Sequence, residues 1–332
     1  RTPPPGIEEP PLQAITFDGK QARLVSNRPR PVPAAGEVLI RPLRMGLCAT
    51  DLELCKGYMN FKGVLGHEFV GVVEEAASKD AKRWVGKRVV GTINCVCGRC
   101  DMCRSGLREH CRQRTVLGIA GRDGCFAEAF TLPARNLLEV PDSVDDDRAV
   151  FTEPLAAAFQ ILRQLNIEGR PYITVLGDGR LGLLCAQVMS RLNARVRLLG
   201  KHADKLQLCE RWGIKHRLVS EVGLRQDQDI VVDCTGSPTG LTTAMQMVRP
   251  RGTIVMKTTV APNDMDADLS PLVINEVQLM GSRCGPFPDA LAALSAEQVD
   301  VVSLISRRMK LADGEKALAA GRKGVLKVLL EP

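Results

Sequence analysis

The sequence predicts two domains of different class: a β-rich, barrel-like domain, then an α/β domain built on a doubly wound parallel sheet. Three observations predict this. Up to about Val140, short β-type runs are broken by Gly and Pro, with no long helical period. After Phe151, strand-like runs alternate with helical stretches, as in a parallel sheet covered by helices on both faces. A Gly-rich run, Gly177 to Gly182, directly follows one of these strands and opens a helix. At 332 residues the chain is long enough for two substantial cores.

In the first domain, placed at residues 12–151, the strand signals include Glu37 to Arg41, Val70 to Glu74 and Arg88 to Gly91. Loops between such strands are the natural carriers of ligands. Asp142 to Asp147 reads as a solvated turn and helix cap, and its charge run is given no function. The second domain, placed at 152–285, opens with a helix from Thr152 to Leu165. Pro154 sits in its first turn, where proline is tolerated. Tyr172 to Leu176 reads as a buried strand and Leu181 to Arg191 as a helix. Further strands are expected at Arg195 to Leu199, Asp229 to Asp233, Gly252 to Lys257 and Val277 to Gly281. After Pro286 come one or two helices and a final strand, Val325 to Leu330.

Hydrophobic content of 45% and charged content of 25% are those of an ordinary globular protein. No apolar run reaches the length of a membrane span, so no membrane partner is expected. The net charge of +7 is spread out and aromatic content is only 4%, which argues against a nucleic-acid surface. A small anionic ligand such as a nucleotide suffices to explain the excess. The 12 cysteines are not the dense framework of a small secreted protein; zinc thiolates in a reducing, cytoplasmic compartment fit better. The Pro-rich start, residues 1–11, reads as an unstructured leader, a processed end or a remnant of expression.

The most specific signal is Cys97, Cys100, Cys103 and Cys111, spaced C-x2-C-x2-C-x7-C. Four thiolates in so short a loop can close a tetrahedron around one zinc and leave no position for chemistry, so the role is structural. Cys95 lies just outside and matches no ligand position. Cys55, Cys125, Cys185, Cys209, Cys234 and Cys284 have no partner spacing and read as packing residues. A second set is Cys48 with Asp51 and His67 with Glu68. A lone histidine or cysteine is more often a packing residue. Together, with flanking glycines, they offer the ligand types of a catalytic zinc, which keeps one position open. Glu153, far along the chain, would have to be folded back to join them.

Gly177, Gly179 and Gly182 form G-x-G-x-x-G. The first allows a tight turn, the second lets the backbone approach a pyrophosphate, and the third lets helix and strand pack closely. The helix N-terminus then meets the phosphates with its orphan N–H groups. The second strand of such a unit normally ends in an acid that holds the ribose hydroxyls. Here Gly200 stands there, followed by Lys201 and His202, which predicts room and charge for a 2′-phosphate. NADP is therefore expected, with NAD as the alternative.

Gly46-Leu-Cys48-Ala-Thr50-Asp51 and Gly66-His67-Glu68 with Gly71 match G-x-C-x-[ST]-D and G-H-E-x-x-G. They resemble the catalytic zinc site of the medium-chain, zinc-dependent alcohol and polyol dehydrogenases. The resemblance runs from about Leu12 to the end, with two zinc patterns and one nucleotide pattern in the family's order. It implies a GroES-like distorted barrel, a Rossmann domain, and a tail, 286–332, that returns to the first domain. It also implies homodimers or homotetramers, two zinc ions per chain, and a secondary alcohol, polyol or sugar as substrate. Cys48, His67 and Glu153 would surround the catalytic zinc, with Glu68 a further or exchanging ligand. Asp51 would orient His67, and Thr50 would take the substrate's hydroxyl proton. Cofactor contacts are expected at Gly177, Gly179, Arg180, Leu181, Gly182, Gly200, Lys201, His202, Thr235 and Lys327. Glu53 replaces a relay histidine of many primary-alcohol enzymes, a departure shared with archaeal-type glucose dehydrogenases. Two other classes fit much of this pattern: a zinc-free enone or quinone reductase of the same superfamily, and a non-catalytic nucleotide sensor.

Overall fold

A computed structural model describes residues 10–260 and 267–332, so the reading of most of the N-terminal leader falls outside the described residues. Two compact units are present, 1–152 with 305–332, and 153–304.

The first unit is built on one long strand, Glu37–Gly46. Val38, Leu39 and Ile40 are buried in succession, so the strand is covered on both faces over this apolar stretch. It pairs antiparallel with Glu68–Ala76, Phe130–Pro133 and Lys327–Glu331. Pro42 has no N–H to give to the ladder, and the register slips between Pro42 and Arg44. The sheet continues outward through Arg88–Gly91 and Leu137–Glu139 on one side and Ile305–Lys310 on the other. A smaller sheet orders Ala22–Arg28, Leu12–Phe17 and Gly63–Val64. Ile15, Leu39, Ile40, Met45, Leu65 and Phe126 are fully buried, each contributing about 1.5–3 kcal/mol of hydrophobic stabilisation.

The second unit is a six-stranded, all-parallel sheet. Its spatial order is Lys215–Leu218, Arg195–Gly200, Tyr172–Leu176, Gln228–Asp233, Val248–Met256 and Gln278–Gly281. In chain order this is 3-2-1-4-5-6, the doubly wound dinucleotide-binding topology. The central strand buries Ile173, Thr174, Val175 and Leu176, and Thr174 Oγ1 donates to Gln228 Oε1 at 2.7 Å.

Two expectations need correction. The chain rejoins the first unit at Ile305, not at 286. The helix Phe287–Ser295 buries Phe287, Ala290, Leu291 and Leu294, and its Asp289 pairs with Arg163 of the helix Thr152–Gln164 at 3.1 Å. Asp300 N donates to Gln187 at 2.7 Å, holding the following loop to the same unit. The acidic run at 142–147 supplies the helix cap that the sequence predicts, but it is not merely solvated. Asp145 caps the helix Asp146–Ala149, accepting from Arg148 N at 2.8 Å. Asp147, less than a quarter exposed, joins Arg44 at 3.0 Å and Arg308 at 2.6 Å. Among the described residues no helix is long and apolar enough to cross a membrane.

Candidate active site

The strand Glu37–Gly46 ends at Gly46, whose register partner is Glu68, the first residue of Glu68–Ala76. That pairing brings Cys48 and His67 together. A side chain at Gly46 would run into the Glu68 carboxylate, so glycine is required there. Cys48 precedes the short helix Ala49–Leu54, and Asp51 in its first turn reaches back. Asp51 Oδ2 accepts from Cys48 N at 2.8 Å and Oδ1 from Gly66 N at 3.2 Å. Its Oδ1 also lies 3.2 Å from His67 Nδ1, an ionic contact without good hydrogen-bond alignment. Asp51 therefore ties both stretches together and turns the other imidazole nitrogen toward the cluster, as metal-bound histidines usually require.

The ligand atoms of Cys48, His67 and Glu68 all lie within 4.8 Å of one another. Glu68 is wholly buried; one oxygen meets the Lys327 ammonium, and Oε1 has no hydrogen-bond partner among the described residues. Leaving such an atom unsatisfied costs about 1–3 kcal/mol, more when it is charged. A divalent cation at the cluster would remove that cost, so the donor set fits zinc. Burial opposes a charge on His67, but Asp51 and then Cys48 hold its imidazole well above the usual range. Thr50 Oγ1 stands 3.7 Å from Cys48 Sγ.

Lys327, expected among the cofactor contacts, is seated against Glu68. It is fully buried, with its ammonium 5.2 Å from the Phe151 ring. Its strand, Lys327–Glu331, pairs alongside Gly46 through Leu329, which fixes this position. Glu153 belongs to the second unit, at the start of Thr152–Gln164, while the three clustered ligands all belong to the first.

Cys97, Cys100, Cys103 and Cys111 converge as the sequence predicts. The Sγ of Cys111 lies 3.6 Å from that of Cys97 and 3.8 Å from that of Cys100. The edge of a tetrahedron with zinc–sulfur bonds of ~2.3 Å is ~3.8 Å. The backbone N–H groups of residues 112 and 103 hold the Cys100 thiol down to about 6. Burial, together with Cys100 and Cys111, pushes Cys103 up to about 12.

In the second unit, the turn after Tyr172–Leu176 meets the loop after Gln228–Asp233, at the point where strand order reverses. Gly177 has φ +105°, and a Cβ there would stand 2.9 Å from Cys234 O. Only glycine suits both demands. A side chain at Gly182 would strike Gly177 O, whereas one at Gly179 would face open space. Arg180 and Leu181 begin the helix Arg180–Ser190. Thr235 Oγ1 donates to Asp233 Oδ1 at 2.7 Å, fixing the neighbouring loop. The space that a side chain on Gly200 would enter is occupied. The Asp178 carboxylate fills it, accepting from Lys201 N at 2.7 Å and His202 N at 2.6 Å. Asp178 is a variable position of the G-x-G-x-x-G pattern, so the pattern alone gives it no role. A strand tip without its acid, facing a motif that carries one, was the available signal.

A β-barrel-like unit with two metal-type clusters, joined to a doubly wound parallel unit with a glycine turn, defines the class of two-domain, zinc-type dehydrogenases. Residues 34–142 match the alcohol dehydrogenase GroES-like domain and 181–297 the zinc-binding dehydrogenase domain. The chain belongs to the zinc-dependent medium-chain dehydrogenase/reductase superfamily. It is 28% identical to a sorbitol dehydrogenase of Halalkalibacterium halodurans, covering 93% of this chain and 95% of that one. It is 27% identical to an L-threonine 3-dehydrogenase of Escherichia coli, over 89% and 92% of the two chains. Among solved structures it resembles a zinc-binding dehydrogenase of Sinorhizobium meliloti bound to NADP. There the TM-score is 0.85 and the identity 27%, over 98% of this chain and all of that one. It is accordingly an oxidoreductase of the dehydrogenase type.

Proposed function

We propose that the chain transfers a hydride between a secondary alcohol, polyol or sugar hydroxyl and a nicotinamide dinucleotide, at a zinc held by Cys48, His67 and Glu68 with Glu153 as a further carboxylate. The observation that carries this reading is the buried Glu68 oxygen without a partner, in a cluster of thiol, imidazole and carboxylate. A zinc there would polarise an alcohol oxygen, and the nicotinamide would accept the hydride. The rest is work for this chain's residues. Asp51 holds His67 in orientation from the rear. Lys327 neutralises one Glu68 oxygen and leaves the other for a metal or for exchange with substrate. Thr50, beside Cys48, would take the hydroxyl proton. Glu53 is exposed and pairs with Lys56 at 2.8 Å, so it offers no buried relay. The sorbitol dehydrogenase relative and the carboxylate at Glu153 favour polyhydroxylated substrates.

A second zinc sits with the four cysteines in this reading and holds their lobe. In this reading five of the twelve cysteines serve as zinc thiolates, which suits a reducing compartment such as the cytoplasm. Elemental analysis should give two zinc atoms per chain. A panel of sugars, polyols and secondary alcohols should give turnover that Glu153→Ala lowers with coenzyme affinity little changed. One zinc or none after metal-replete expression, or no turnover on any member, would count against the reading.

A further inference from the structure

We infer that Asp178 selects the coenzyme: its carboxylate takes the ribose-recognising role that Gly200 has vacated, so the chain prefers NAD to NADP. This rests on the nicotinamide dinucleotide reading above and goes beyond it, since the residues after Gly200 by themselves point to NADP.

The geometry carries the case. In an open parallel sheet, a dinucleotide lies across the carboxyl ends of the strands at the switch point. What discriminates there is the charge at the tip of the second strand, whichever residue supplies it. The nearest atoms to a Cβ built on Gly200 all belong to the Asp178 side chain, so that carboxylate occupies the volume a second-strand acid would enter. Gly200 and Asp178 are therefore complementary: the acid has moved from the end of one strand to the turn after its neighbour.

The carboxylate is also fixed and charged. Its side chain is only 8% exposed. Oδ2 accepts two backbone N–H groups, and His202 Nδ1 lies 3.0 Å from Oδ1. Burial pushes the group up, but the His202 ring and the N–H groups of His202 and Lys201 outweigh it and hold it below the usual carboxylate range. A carboxylate has about four lone-pair directions. The contacts named leave Oδ1 able to accept from a ribose hydroxyl. A 2′-phosphate would bring a charge of about −1.5 to −2 against this fixed negative group. Lys201 is exposed, so its attraction for that phosphate is screened by solvent and salt, whereas the buried carboxylate is screened less. His202, half-exposed, already faces Asp178 through one ring nitrogen.

The test is equilibrium binding of NADH and NADPH to the whole, substrate-free protein, followed by nicotinamide fluorescence. Wild type should bind NADH at least about tenfold more tightly. Asp178→Asn keeps the shape and removes the charge, and should shrink that ratio about tenfold or more. The paired change Asp178→Gly with Gly200→Asp should restore it, because it moves the acid back to the second strand. Competition by ADP-ribose and its 2′-phosphate reads the same preference in wild type, whether or not the variants fold. NADPH binding as tightly as NADH in wild type overturns the inference. So does equal weakening toward both coenzymes in Asp178→Asn, the result of a purely structural role. Failure of both coenzymes to bind overturns the underlying nucleotide reading along with it.

Discussion

At the scale of single residues, the Glu68–Lys327 pair is the point of greatest electrostatic stake. Both side chains are fully buried, and the pair joins the last strand to the metal-type cluster. Removing one member of a buried pair leaves the other as an uncompensated charge, which costs about 3–5 kcal/mol. Lys327→Met should therefore lower the unfolding free energy by about that amount in metal-free protein. Restoration of part of the loss by added zinc, followed in denaturant melts, would show the cation substituting for the lysine at Glu68. The His67 imidazole supplies a second prediction. Asp51 and Cys48 raise its pKa above the usual imidazole value in the metal-free chain, so proton and metal compete for the ring. Zinc uptake should release protons, and zinc affinity should fall as pH falls from 8 toward 6. Calorimetry in buffers of different ionisation enthalpy reads this directly; uptake without proton release would refute it. The cluster itself was legible in the sequence, because Cys48 and His67 lie in motifs whose spacing is local. The Lys327 contact was not, since it depends on a strand that returns from the far end of the chain.

At the scale of elements, the strand Ile305–Lys310 is attached at the rim of the first unit's sheet by charge as well as by pairing. Arg308 and Arg44 converge on Asp147, which links this strand, Glu37–Gly46 and the helix Asp146–Ala149. Burial alone would raise the Asp147 pKa, but Arg308 and then Arg44 outweigh it and hold it below the usual carboxylate range. A carboxylate depressed in the folded state gives stability that is present above its unfolded pKa, about 3.9, and lost as pH falls through the folded value. Asp147→Asn should cost about 1 kcal/mol at pH 7 and less at pH 3, below the unfolded pKa of about 3.9, where the stability given by the depressed carboxylate is already being lost. Urea melts at the two pH values check the sign, and an equal deficit at both would refute it. Strand positions in both units were readable from apolar runs between Gly and Pro, because buried strands such as Val38 to Ile40 leave no ambiguity. The boundary at Ile305 was not readable. The apolar stripe of Phe287–Ser295 suits burial against any neighbour, and only its contacts through Asp289 and the following loop through Asp300 assign this stretch to the second unit. The ion pairs of Asp146 and Asp147 were hidden in the same way, since their arginine partners at 88, 44 and 308 are distant in sequence.

At the scale of the whole molecule, the parallel sheet ends, among the described residues, in a strand that is paired on one side only. Gln278–Gly281 pairs with Val248–Met256 on one side, and among the described residues no strand pairs on its other side. Such an edge presents a row of backbone donors and acceptors, and folded proteins usually blunt it with charge, proline or a cover. Here the neighbouring side chains do the opposite. Val273 is 80% exposed and Ile274 77%, at the end of the short helix Ser270–Ile274, and Leu279 on the strand is 45% exposed. Isolated exposed apolar residues need no explanation, but three beside an open strand edge do. A second copy related by a two-fold axis would place the same edge against itself, extend the sheet and cover the three side chains in one isologous contact. The expected state is therefore a homodimer through Gln278–Gly281, the smaller of the two assemblies the family resemblance implies. Ile274→Lys with Leu279→Lys would put like charges across the axis while leaving the exposed surface of each protomer compatible with water. Light scattering after size exclusion should show dimer for wild type and monomer for the double variant, with circular dichroism and zinc content unchanged. Dimers that survive the double change would place the interface elsewhere, and a monomeric wild type would remove the need for one.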